Sequence, residues 1–143
     1  MGKPTVDMLR ARARGQVITT SDAEYEEARK VYNGMIDRRP SVIVRAVDVE
    51  DVMAGIDYAR DNGLDLAVRG GSHSVPGFGT CDAGVVIDLG RMNGIRVDPR
   101  QQTARAEGGC TWGDFYHATY AFGLATTGGI IASTGIAGLT LGG

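Results

Sequence analysis

Leu64-Asp65-Leu66-Ala67-Val68-Arg69-Gly70-Gly71-Ser72-His73-Ser74 reads as a short strand that breaks abruptly into paired glycines and a histidine. Glycines without side chains let a backbone bend sharply and approach a ligand closely, so the histidine is delivered to the place where a ligand would sit. Upstream, Ser41-Val42-Ile43-Val44-Arg45-Ala46 is a β-rich run. Between the two, Asp48 is placed to cap a helix whose Val52, Met53, Ile56 and Ala59 share one face, and Asn62-Gly63 is placed to end it. The spacing therefore predicts two parallel strands joined through a helix in a right-handed βαβ unit. The glycine-histidine loop leaves the carboxyl end of the second strand, where open α/β sheets bind their ligands.

Working outward, Gly84-Val85-Val86-Ile87-Asp88-Leu89 is a buried strand. Ile95–Asp98 and Thr103–Glu107 flank the turn Pro99-Arg100-Gln101-Gln102 as an antiparallel hairpin. Thr111 and Asp114 form a T-x-x-D box at the start of a helix with Phe115, Ala118, Thr119 and Phe122 inward, Trp112 packed at its first turn and Gly123 as its stop. His117 has no partner at ligand spacing and reads as a surface or core histidine. At the amino end, Ser21 with Glu24 three residues on predicts a docking helix carrying Tyr25, Ala28, Tyr32 and Met35. Arg10, Arg12 and Arg14 make either a solvated basic face or a contact for an anionic substrate.

The second glycine cluster runs from Thr126 to Gly143 and interleaves glycine with threonine and serine hydroxyls. Such a segment offers backbone donors and side-chain oxygens to an elongated anion, or simply turns tightly. The chain stops inside this cluster, which on this reading makes it part of a longer protein. Glycine numbers 22 of 143 residues, about twice the average share, and much of the excess falls in these two clusters.

Composition excludes several classes. A formal net charge of −2 does not suit a dedicated nucleic-acid surface. No apolar run approaches the length of a membrane span and the amino terminus lacks the apolar core of a signal peptide, so the cytoplasm is the expected location and no membrane partner is expected. Cys81 and Cys110 lack the spacing of a metal site or a disulfide framework, and no metal is expected. Neither GxxxxGK[ST] nor a GxGxxG opening a helix is present, so a phosphate cradle would have to be built from glycine backbone alone.

The ordered motifs R-G-G-S-H-S-x-x-G (Arg69 to Gly77), G-V-V-I-D-L (Gly84 to Leu89), E-G-G-C-T-W (Glu107 to Trp112) and T-G-G-I-I-A-S-T-G-I-A-G-L-T-L-G-G (Thr127 to Gly143) resemble the FAD-binding PCMH-type domain of berberine bridge enzyme-like oxidoreductases. The resemblance covers Pro40 to the carboxyl terminus, and the helix before it resembles the lead-in of bacterial members. It implies an α+β fold, with a small parallel βαβ subdomain followed by a mixed and antiparallel β subdomain with helices, truncated here. It divides the chain into a lead-in at 1–39 and the first part of the FAD domain at 40–143.

Residue by residue, the resemblance implies that Arg69, Gly70, Gly71, Ser72, His73, Ser74 and Gly77 follow the FAD pyrophosphate, with His73 bonded to the flavin 8α carbon. An unprotonated imidazole nitrogen is nucleophilic near neutral pH, which suits that role. Thr127, Gly128, Ile131, Ser133, Thr134, Gly135, Gly138, Leu139 and Gly142 fall in the second cofactor loop. Bicovalent members carry a cysteine four residues before the glycine that matches Gly135; here that residue is Ile131, so a single attachment through His73 is expected. The implied reaction is hydride transfer from an alcohol, sugar or amine to the flavin, with oxygen as the reoxidant, the cofactor performing the redox step. The substrate domain and catalytic base are expected outside this chain, which alone is expected to be inactive. The alternative is a noncatalytic module whose glycine loops bind a nucleotide or only turn.

Overall fold

The computed structural model describes residues 2–142. Its centre is a four-stranded sheet in the order β1 (Gln16–Thr19), β2 (Val42–Arg45), β4 (Val85–Asp88), β3 (Leu66–Arg69). β2 and β3 are both parallel to β4, which lies between them, and β1 closes the far edge antiparallel to β2. The apolar runs of β2 and β4 are buried on both faces, as the continuous Val-Ile-Val and Val-Val-Ile sequences require. Alternate residues feed two cores: Val42, Val44 and Val85 pack with Leu9, Ala54 and Ala59 on one face, and Ile43, Val86 and Ala67 pack with Ile18, Tyr25 and Ala28 on the other.

α3 (Val49–Asn62) joins β2 to β3. The Asp48 carboxylate accepts from the Asp51 N–H as its N-cap, and Gly63 ends it in the left-handed conformation at φ 67°. The buried face differs from the expected one. Met53 and Ile56 are exposed, while Asp51, Ala54, Gly55 and Ala59 face inward. Two forces set this rotation. A Cβ on Gly55 would stand 3.1 Å from Ile87 Cγ1, so only a small residue lets the helix lie this close to the sheet. The Asp51 carboxylate, 1% exposed, accepts from the backbone N–H groups of Arg14, Gly15 and Val47 at 2.8–2.9 Å.

Those bonds build structure that sequence periodicity did not reveal. Residues 2–20 hold α1 (Val6–Arg12) and then β1, so the lead-in before Pro40 supplies an edge strand to the same sheet. Arg10, Arg12 and Arg14 are each ion-paired, with Asp22, Asp57 and Asp48 respectively. The helix expected from Ser21 through Met35 shrinks to α2 (Tyr25–Ala28). Ser21 caps nothing, because Glu24 is drawn to Gln16 Nε2 at 3.1 Å and Asp22 accepts from the Thr19 N–H and hydroxyl, closing a turn. Tyr25 and Ala28 are buried as expected, whereas Tyr32 and Met35 lie beyond the helix and are exposed.

The second part matches the reading more closely. β5 (Ile95–Asp98) and β6 (Thr103–Ala106) form an antiparallel two-stranded sheet. α4 (Trp112–Tyr120) starts with a complete capping box between Thr111 and Asp114. The Thr111 hydroxyl and backbone N–H hold the Asp114 carboxyl below the usual range. Trp112 and Thr119 are buried, but Phe122 falls after the helix end and is exposed. His117 lies exposed on this helix. The second glycine cluster is a loop only as far as Gly135; Ile136–Gly142 form a further helix, α5. Backbone bonds from Trp112 to Thr134, Gly113 to Ala132 and Ile136 to Cys110 pin the loop to the start of α4. Gly143 lies outside the described residues.

Candidate cofactor site

The strand register sets the site. Arg45, Asp88 and Arg69 are aligned partners at the carboxyl ends of β2, β4 and β3. The Asp88 carboxylate sits 2.7 Å from Arg69 Nη2 and 4.0 Å from Arg45 Nε. Arg69 is 4% exposed and also donates to the carbonyls of Ala28 and Lys30. Its guanidinium is therefore committed to the protein, and it anchors the start of the loop that follows.

Beyond Arg69 the two glycine loops meet backbone to backbone. A Cβ on Gly71 would overlap Gly135 N and stand 2.6 Å from Gly135 Cα; one on Gly135 would overlap Gly71 N and stand 2.8 Å from Gly71 Cα. A Cβ on Gly70 would come within 2.8 Å of the Gly108 carbonyl oxygen. Ser72 adopts a left-handed backbone at φ 63°, an uncommon state for serine that turns the chain into His73. The His73 ring is half-buried, stacked on Tyr32 with centroids 4.1 Å apart and planes 16° from parallel, and its Nε2 lies 3.3 Å from Ser133 Oγ.

The loops enclose a cleft of about 580 Å3. Of the residues singled out from sequence, Arg69, Gly70, Gly71, Ser72, His73 and Ser74 line it from the first loop. Thr134, Gly135, Gly138, Leu139 and Gly142 line it from the second. Ser133 touches the cleft indirectly, through His73. Gly77, Thr127, Gly128 and Ile131 do not line it. Gly77 packs against Ile36, Gly128 lies on the Trp112 ring, and Thr127 and Ile131 are exposed. Val68, Val75, Pro76, Phe78 and Gly79 line the cleft without having been singled out. They simply continue the strand and loop already recognised. Tyr32, which the spacing assigns to the docking helix, carried no signal linking it to the cleft, since it reaches His73 from a separate segment.

Three observations fit the FAD that the motifs imply. Among the described residues, none accepts a hydrogen bond from the N–H groups of Gly70, Gly71, Ser72, His73 or Ser74, so these donors of the cleft-lining loop are unclaimed within the chain. Gly138 and Gly142 open onto the cleft with nothing within 4 Å of where a Cβ would sit. Val68, Phe78 and Leu139 supply apolar surface along the same wall. The cysteines stand apart from this wall: Cys110 is fully buried with its thiol on the Gly94 carbonyl, and burial pushes it above the usual thiol range.

Fold and cleft together define a nucleotide-cofactor domain of the PCMH and berberine bridge enzyme-like type. Residues 40–143 match the family described as FAD binding domain, and the chain belongs to that family. It is 38% identical over 130 residues to (R)-6-hydroxynicotine oxidase of Paenarthrobacter nicotinovorans, covering 91% of this chain and 28% of that protein. It is 35% identical over 136 residues to an FAD-linked oxidoreductase of Bacillus subtilis, covering 95% and 30% respectively. The crystal structure of 6-hydroxy-D-nicotine oxidase from Arthrobacter nicotinovorans superposes with a TM-score of 0.86 at 37% identity, over 89% of this chain and 28% of that one. BBE-like 1 of Physcomitrella patens superposes with a TM-score of 0.89 at 27% identity, over 97% and 31%. The chain thus spans about 30% of the length of the curated relatives it matches.

Proposed function

We propose that this chain is the cofactor-holding part of a flavin-dependent oxidoreductase that oxidises a small alcohol, sugar or amine, with FAD tethered through His73 alone and dioxygen as the reoxidant. The observation that carries the reading is the row of unclaimed N–H groups from Gly70 to Ser74, set in a glycine-walled cleft with the His73 ring at its edge. Those donors would hold the pyrophosphate, since oriented backbone amides bind anions without a charged side chain. Arg69, already paired with Asp88, would act by fixing the loop rather than by touching phosphate. Gly138 and Gly142 would leave room for the cofactor, and Val68, Phe78 and Leu139 would shield its apolar ring from water. Bound FAD would supply the hydride acceptor that amino-acid side chains lack. By the resemblance, Ile131 takes the sequence position at which bicovalent members carry a cysteine, which favours a single tether.

The test is direct. Full-length protein is purified, precipitated with acid and examined for flavin in the pellet; a yellow pellet supports the tether. The same protein is then offered panels of alcohols, sugars and amines while hydrogen peroxide is followed. Turnover of one panel with peroxide release is expected, whereas a colourless protein that FAD cannot reconstitute would overturn the reading in favour of a noncatalytic module.

A further inference from the structure

The segment between Lys30 and Arg38 belongs to no helix or strand, yet it is bonded all along the His73 loop. The Tyr32 N–H donates to the Ser72 carbonyl at 3.1 Å, Asn33 Nδ2 to the Val75 carbonyl at 2.9 Å, and Arg38 Nη1 to the carbonyls of Gly77 and Thr80. From the other side, Arg69 reaches back to the Lys30 carbonyl at 3.1 Å. This strap holds Tyr32 flat against the His73 imidazole, 4.1 Å between centroids. Tyr32 is 72% exposed, so no demand of the hydrophobic core explains its position. Its one aromatic partner among the described residues is the ring that faces the cleft.

Resting on the His73 tether proposed above, we infer that Tyr32 is a positioning residue for flavin attachment: it fixes the plane of the His73 ring, while Ser133 fixes its rotation within that plane. A stacked face removes the ring's freedom to tilt, and the hydrogen bond at Nε2, to a hydroxyl that pairs with either tautomer, limits its rotation. In the attachment itself an imidazole nitrogen bonds to the flavin 8α carbon. The imidazole N–H and one 8α C–H give up their protons, and the electron pair of that C–H passes to dioxygen, which leaves as hydrogen peroxide. Neither Tyr32 nor Ser133 exchanges electrons; both hold the nucleophile so that it meets the carbon in one orientation.

The experiment uses full-length apoprotein mixed with FAD in air, and follows total bound flavin and acid-stable flavin separately over time. Tyr32→Ala is expected to bind FAD as wild type does but to attach it about three- to ten-fold more slowly, the range that aromatic stacking supports. Tyr32→Phe, which keeps the stacked face, is expected to restore the wild-type rate, and Ser133→Ala to slow attachment by a smaller factor. Tyr32→Leu keeps bulk without the aromatic face and is expected to resemble Tyr32→Ala, which covers the case where the smaller residue disturbs the strap. Attachment in Tyr32→Ala and Tyr32→Leu at the wild-type rate overturns the inference, as does a loss of total bound flavin in step with the covalent fraction. His73→Ala separates the two claims: acid-stable flavin in that variant removes the tether, whereas its disappearance there alongside normal attachment in Tyr32→Ala removes only the role of Tyr32.

Discussion

Gly71→Ala inserts one methyl group between the two loops that form the cleft. The new Cβ would overlap Gly135 N, stand 2.6 Å from Gly135 Cα and 3.3 Å from the Thr134 carbonyl carbon, where ordinary contact begins at 3.4 Å. All three neighbours are backbone, so no side chain can swing aside and the loops must separate by about 1 Å. The cost is on the order of 1–3 kcal/mol, as for other overpacked sites. Gly135→Ala places its methyl in the same gap from the opposite side, 2.8 Å from Gly71 Cα. One separation relieves both clashes, so the double variant should cost less than the two single changes added together. Gly34, which has open space around it and an ordinary backbone, serves as the control and should tolerate alanine within about 0.5 kcal/mol. Urea unfolding of the apoprotein measures the cost, and FAD titration measures what the widened cleft has lost. A Gly71→Ala protein with wild-type midpoint and wild-type FAD affinity, or a strictly additive double variant, would refute the apposition of the loops.

Further outcomes follow from the same geometry. Gly138→Ala should stabilise the apoprotein by about 0.5–1 kcal/mol, because alanine suits a helix better than glycine, yet weaken FAD binding because its methyl enters the cleft; paired melts and titrations would show opposite signs. Asp51→Asn should destabilise by about 1–3 kcal/mol in urea unfolding, since an amide nitrogen would face N–H donors from residues 14, 15 and 47, and a near-neutral result would contradict that network. The carboxyls of Asp114 and Asp22 are held below the usual range chiefly by bonds from Thr111 and Thr19. A lowered folded pKa means that their stabilisation is present above the unfolded value near pH 4 and fades as pH falls through the lower folded one. Urea midpoints measured from pH 6 to pH 2.5 should therefore drop at the acid end, less steeply in Asp114→Asn; an unchanged slope in that variant would count against the capping box as a source of acid sensitivity.

Where the determinants are local, the chain is legible without coordinates. The uninterrupted Val-Ile-Val and Val-Val-Ile runs become the buried strands β2 and β4, the turn Pro99–Gln102 joins the hairpin, and Thr111 with Asp114 caps α4. Misreadings arise where a distant group captures a local signal. Glu24 would complete a capping box with Ser21, but Gln16 takes its carboxylate. Asp51 would be a solvent-facing helix residue, but N–H groups from the amino-terminal segment turn it inward and rotate α3 with it. The glycine-rich Ile136–Gly142 stretch has little intrinsic helical tendency, yet its first residue is bonded to Cys110 and it continues as α5. At the site, both loops and His73 were visible as glycine clusters. The commitment of Arg69 to Asp88 depends on strand register, and the stacking of Tyr32 depends on an irregular strap where the apolar spacing predicts helix.

The central claim is that His73 carries the flavin. Trypsin cleaves after Arg69 and Arg91, so His73 is released within a single peptide spanning 70–91. Mass spectrometry of digested full-length holoprotein should find this peptide heavier by one covalently attached FAD or its flavin remnant, with every other peptide unmodified, and His73→Ala should yield no flavin-bearing peptide. An unmodified 70–91 peptide in a protein whose flavin survives acid precipitation, or a flavin-bearing peptide in His73→Ala, would contradict the account.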